Sequence, residues 1–234
     1  MKRRNFLQSV LLAPVAAHSL ELSAPDVRRL IVIEGNSLST PWLRRIQIAD
    51  WLGFFPWMRE RRFETVSLAV GGSDIRQLNE PERTMRVDVL AQLNYEHWLV
   101  LWELSNSMSH GISVAETYAT HRAYCLARRA KGFKVLMGTC ISRNQQIHFH
   151  QPTFTWEQQQ GINGMVRETW HEFADGLLDF DAVPELGARD APLNPRYFLD
   201  GVHLTDEGSE IAAGVVLDAM KARYPTYYMP IVGG

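Results

Sequence analysis

Five short, mostly continuous apolar runs recur along the chain: RLIVIE (29–34), ETVSLAV (64–70), HWLVLWEL (97–104), FKVLMGT (133–139) and GLLDF (176–180). A strand with one wet face alternates apolar and polar residues, whereas a strand covered on both faces is apolar throughout, as in parallel sheets. The segments between the runs carry helical spacing instead. Thr40 can cap a helix that starts at Pro41 and turns Trp42, Leu43, Ile46, Ala49 and Leu52 to one side. Residues 113–131 open on Ser113, gather Arg128, Arg129 and Lys131 near their end, and stop at Gly132. Helical patterns over 156–175 and 206–222 complete the set. Strand and helix alternating through the whole length predict a doubly wound α/β sheet.

The chain has 234 residues, 46% of them apolar, which suits one domain with a full core. A net charge of −2 leaves no basic footprint for nucleic acid. Cys125, late in a helix, and Cys140, after the next strand, lie roughly 15 Å apart by the rise per residue, beyond disulfide reach. No internal repeat is present, and no apolar run is long enough to span a bilayer. At the N-terminus, MKRRNFLQ followed by SVLLAPVAAHS looks like a twin-arginine export signal over residues 1–19, with cleavage after Ala17 or Ser19. Removing it would take the net charge from −2 to −5. The expectation is a periplasmic or secreted protein with no integral membrane segment in its mature chain. The alternative is an ordinary amphipathic first helix in a cytoplasmic protein. The domain would run over 28–224, with 225–234 a surface tail.

In a doubly wound sheet, ligands bind in the crevice outside the carboxyl ends of the strands. Four segments should therefore share one edge: Gly35-Asn36-Ser37, Gly71-Gly72-Ser73, Ser105-Asn106-Ser107 and the loop near residue 140. A fifth stretch, YFLDGVHLTDEG (197–208), sets Asp200 three residues before His203 and offers Asp206 as a helix cap. A carboxylate at that spacing can curl back onto the imidazole, fix its tautomer and stabilise the imidazolium formed when the other nitrogen takes a proton. Ser37 is the natural nucleophile, because a serine hydroxyl needs such a base within hydrogen-bond reach. The helix expected after Thr40 would put its positive end near the developing oxyanion. Gly72 could bring a bare backbone N–H to the same point, and Asn106 a neutral amide donor, each typically worth about 3 kcal/mol in the transition state. These parts amount to acyl transfer.

The blocks EGNSLS, VGGSD, LSNS and DGVHLTDEG resemble, in order, those of the SGNH, or GDSL-type, esterases and lipases. The likeness runs from about residue 29 to 222. It implies a three-layer α/β/α sandwich with a five-stranded parallel, flavodoxin-like doubly wound sheet. It also implies a Ser-His-Asp hydrolase with no metal and no cofactor, acting on a small-molecule or carbohydrate ester. Carried over by position, Ser37 would attack and Asp200 and His203 would serve it, while Ser37 N–H, Gly72 and Asn106 would hold the oxyanion. Two blocks depart from the family: Asn36 stands where Asp is usual, and Leu104 and Ser107 flank Ser105-Asn106 where Gly-x-Asn-Asp is usual. Gly71 competes with Gly72, which is preferred because it adjoins Ser73 at the turn into a helix.

Other readings compete. Lipid ester or thioester hydrolysis would use the same residues. A flavodoxin-like protein could wrap a phosphate in GNSLST, but would leave Asp200 and His203 idle. A carbohydrate-binding relative without turnover would not need an intact Ser37, Asp200 and His203. His148 and His150 share a face but have no acidic or Cys partner close in sequence, so a loop over the cleft is preferred to a metal site. Trp42, Trp51 and Trp57, with Phe54 and Phe55, read as core packing rather than a sugar platform. Arg59 to Arg62 read as a solvated face.

Overall fold

In the computed structural model the described residues are 27–40, 46–144 and 154–224. The expected export signal (1–19), the start of the helix at Pro41, Trp42, His148, His150 and the tail 225–234 all lie outside them. Five parallel strands form one sheet: β1 (Arg29–Gly35), β2 (Phe63–Ser67), β3 (Glu96–Trp102), β4 (Lys134–Gly138) and β5 (Gly176–Leu178). Their order is β2-β1-β3-β4-β5, the flavodoxin-like doubly wound arrangement. Its switch point falls between β1 and β3.

The continuous apolar runs are explained by burial on both faces. Ile31, Ile33, Trp98, Val100, Trp102 and Leu136 point into one core cluster. Their strand neighbours Leu30, Val32, Leu99, Leu101, Val135 and Met137 point into the other. Helices Ile48–Phe54 and Asp206–Arg223 cover the first face, contributing Leu52, Ala213 and Val216 among others. Helices Val114–Ala130 and Trp156–Phe173 cover the second with Tyr124, Cys125, Ile162 and Val166. The result is the expected three-layer sandwich. Cys125 and Cys140 are both buried and unpaired.

Local details differ from the sequence reading in instructive ways. β2 is assigned only to Ser67, yet Leu68 N–H donates to Ile33 O and Val70 N–H to Gly35 O, so the chain follows β1 out to residue 70. Of the helix expected from Pro41, the described part is Ile48–Phe54, opened by a Gln47–Asp50 capping box. Thr40 belongs to a turn, its hydroxyl donating to Ser37 O at 3.4 Å. Thr205, rather than Asp206, caps the last long helix by accepting Gly208 N–H, while Asp206 Oδ1 accepts Ile46 N–H. The aromatic group divides: Trp51, Phe55 and Trp57 pack against the core, and Phe54 faces solvent.

Candidate active site

The carboxyl ends of β1 and β3 are brought together by a residue with no side chain. A Cβ on Gly35 would sit 2.2 Å from Trp102 O, so no larger residue fits. Asn36 then turns the chain. Its Oδ1 accepts Leu38 N–H at 3.0 Å, while its Nδ2 donates to Glu103 O and Ser105 Oγ at 3.3 Å each. The turn after β1 is thereby locked to the segment after β3, at the switch point, and Ser37 follows directly.

The loop after residue 197 folds back through an antiparallel bridge between Phe198 and Leu204, with Leu199 N–H donating to His203 O at 2.8 Å. Within it Gly201 takes φ +78°, which allows a tight reversal. Asp200 Oδ1 accepts the N–H groups of Val202 (3.0 Å) and His203 (2.7 Å). Asp200 Oδ2 lies 2.7 Å from His203 Nδ1, and His203 Nε2 lies 2.9 Å from Ser37 Oγ. Burial alone would push the Asp200 carboxyl up, but these hydrogen bonds and the adjacent imidazole outweigh it and hold it below the usual carboxylate range. An anionic Oδ2 accepts only, so Nδ1 carries a proton and Nε2 is left to accept from the Ser37 hydroxyl. Ser37 and His203 are only 8% and 5% exposed.

Gly72 sits in the turn beyond β2 at φ +79°, and a Cβ there would meet nothing within 4 Å. Its backbone therefore borders open space. Asn106 lies on a short helix, Leu104–Ser109, rather than in the loop the sequence suggested. That helix opens on Glu103, whose carboxylate accepts Ser107 N–H at 2.9 Å and Ser107 Oγ–H at 2.6 Å. Ser107 Oγ in turn accepts Ile75 N–H, and His121 Nε2 stands 3.0 Å from Glu103 Oε2. One Asn106 Nδ2 hydrogen goes to Ser73 O at 3.1 Å, which orients the amide and leaves its second hydrogen. The loop after β4 joins the same edge, with Arg143 Nη1 donating to Ser109 Oγ and Asn144 N–H to Gly201 O.

Ser37, His203 and Asp200, chosen from distant parts of the sequence, are thus in one hydrogen-bonded line. Gly72 and Asn106 are joined through Ser73. The sequence reading missed Glu103 and His121, and also Glu34, a buried carboxylate that follows the apolar run Leu30–Ile33 in β1. A charge inside a strand run was the available signal. Among the described residues, no three His, Cys, Asp or Glu side chains gather as a metal ion would require. No helix there is long and apolar enough to cross a membrane.

No protein-family model matches the sequence, and no curated protein matches it significantly. Solved structures do match. An acetyl xylan esterase, AlAXEase, superposes with TM-score 0.63 at 20% identity, over 81% of this chain and 98% of that one. The psychrotrophic esterase EstA from a Pseudoalteromonas species, inhibited by monoethylphosphonate, gives 0.63 at 12% identity, over 85% and 100%. A GDSL-like lipase from Bacteroides thetaiotaomicron gives 0.59 at 15%, over 83% and 89%. A Bacillus subtilis protein also matches with TM-score 0.58 at 17% identity; 86% of this chain aligns to it, spanning only 58% of its length. The chain has the fold of the SGNH/GDSL-type hydrolases.

Proposed function

We propose that this protein is a serine esterase that works through an acyl-enzyme. The observation that carries the reading is the line from Ser37 Oγ through His203 Nε2 and Nδ1 to Asp200 Oδ2, at 2.9 and 2.7 Å. In the first half-reaction, Ser37 Oγ attacks the ester carbonyl carbon as its proton passes to His203 Nε2. Asp200 stabilises the resulting imidazolium without taking the proton itself. The carbonyl oxygen becomes an oxyanion, held by the N–H groups of Ser37 and Gly72 and the second Nδ2 hydrogen of Asn106. Collapse breaks the C–O bond to the alcohol, which leaves with the proton from Nε2. In the second half, His203 takes a proton from water, hydroxide adds to the acyl carbon, and collapse returns Ser37 and the free acid.

Short acyl groups on a carbohydrate or another small alcohol are the proposed substrate class. The deacetylating neighbour favours this, as does the export-type N-terminus, which would set the enzyme in the periplasm or outside the cell. The deciding experiment is hydrolysis of a p-nitrophenyl ester series and an acetylated xylan by wild type and Ser37→Ala. Wild type should favour short acyl chains, and Ser37→Ala should lose turnover at least ~10³-fold, as expected when the nucleophile of a catalytic unit is removed. Equal rates for the two proteins would refute Ser37 as nucleophile. An optimum at long acyl chains would refute the substrate class.

A further inference from the structure

The strongest feature outside the reacting groups is a partly buried cation beneath the oxyanion loop. Arg83 lies on helix Pro81–Asp88, with its side chain only 12% exposed. Its Nη1 donates to Ser73 Oγ at 2.7 Å, and its Nη2 donates to Leu68 O at 3.2 Å while standing 3.6 Å from Glu34 Oε1. Leu68 and Ser73 bracket the stretch that carries Gly71 and Gly72, so one guanidinium ties both ends of that loop. Glu34, 1% exposed, is three residues before Ser37 on β1 and also accepts the Tyr124 hydroxyl. Ser73 completes the chain, because its carbonyl accepts the Asn106 amide. Planar, multidentate Arg can serve three acceptors at once, which a Lys ammonium on a flexible stem does poorly.

We propose that Arg83 is a positioning residue for the oxyanion hole: through Ser73 it sets Gly72 and Asn106 against the strand that presents Ser37. This rests on the esterase reading above. Arg83 touches neither substrate nor the reacting atoms, so it acts through the donors alone. Oxyanion donors bind the transition state and not the ground state. Its loss should therefore fall on kcat, with KM nearly unchanged.

The test is steady-state hydrolysis of p-nitrophenyl acetate by wild type, Arg83→Met, Arg83→Lys, Ser73→Ala, Asn106→Ala and the Arg83→Met/Asn106→Ala double variant. A misplacement of donors by about 1 Å is expected to cost Arg83→Met roughly 10- to 100-fold in kcat, with KM within about two-fold. Arg83→Lys should fall between it and wild type. Ser73→Ala removes only the hydroxyl and keeps the Arg83–Glu34 pair, so it carries the test even if Arg83→Met does not fold. It should lose roughly 3- to 10-fold in kcat. Because part of Arg83's effect runs through Asn106, the double variant should lose less than the product of the two single losses. Folded Arg83→Met or Ser73→Ala with wild-type kcat overturns the proposal, as do losses that multiply in the double variant. Wild type inactive on every ester removes the esterase reading, and this proposal with it, before any variant is compared.

Discussion

Asp200→Asn separates the charge of this carboxylate from its structural bonds. The asparagine can keep its oxygen on the N–H groups of Val202 and His203, now 3.0 and 2.7 Å from Asp200 Oδ1. Its amide nitrogen then replaces Oδ2, 2.7 Å from His203 Nδ1. An N–H facing Nδ1 makes that ring atom an acceptor and moves the imidazole proton to Nε2. Nε2 would then donate toward Ser37 Oγ and could no longer take its proton. The wrong tautomer, together with the lost stabilisation of the imidazolium, should lower kcat by about 10³–10⁴-fold, or about 4–5.5 kcal/mol of activation free energy. The loop keeps its two backbone bonds, so unfolding free energy should fall by only about 1 kcal/mol. Asp200→Ala leaves both backbone donors without their acceptor and should cost roughly 2–5 kcal/mol of stability. The assay pairs p-nitrophenyl acetate kinetics with urea denaturation for the three proteins. Asp200→Asn retaining more than a tenth of wild-type kcat would refute the tautomer argument.

Two further changes test the buried groups around the site. Asn36→Asp exchanges an amide donor for a carboxylate facing Glu103 O, so it should destabilise the fold by about 1–3 kcal/mol and lower kcat. A protein as stable and active as wild type in urea and ester assays would show that the donor is not needed. Burial raises the Glu34 carboxyl from 4.5 to about 6, against the pull of the Tyr124 hydroxyl and of Arg83 and Arg128. The folded state therefore binds this proton more tightly than the unfolded chain. As pH rises from about 4.5 to 6, wild type should lose on the order of 2 kcal/mol of stability relative to Glu34→Gln, and the difference should persist above that range. A wild-type minus Glu34→Gln stability difference that is flat across urea titrations from pH 4.5 to 7.5 would refute that reading.

Much of the architecture was legible because period and burial are local signals. Residues such as Leu30 and Ile31 face opposite cores yet are both apolar, and only a strand sandwiched between two layers requires that. Ser113 and Gly132, the residues that open and close the helix between β3 and β4, are also local, and they were read correctly. The cap of the last long helix was misplaced by one residue for the complementary reason. Asp206 offers a capping carboxylate, but its Oδ1 accepts Ile46 N–H from across the fold, and Thr205 takes Gly208 N–H instead. A tertiary partner for Asp206 overrode a local preference.

The candidate site divides along the same physical line. Ser37, Asp200 and His203 could be named beforehand because the proposed chemistry dictates residue types, with Ser37 just past a strand end and the Asp-His pair three residues apart in one loop. Arg83, Glu34 and Glu103 could not, because nothing in their neighbours' spacing says which loop they grip. Asn36 shows why this matters. Read against the family block, it is a mild exchange for aspartate; in the fold it donates to Glu103 O, where a carboxylate would repel. The segment after β3 also departs from the family block, with Ser107 bonded to the Glu103 carboxylate. The two departures therefore meet at one residue, Asn36 on the Glu103 carbonyl and Ser107 on the Glu103 carboxylate. Asn36→Asp would set a carboxylate against the Glu103 carbonyl, and an acid at 107 would set one against the Glu103 carboxylate, so around Glu103 both departures from the family block avoid a repulsive contact.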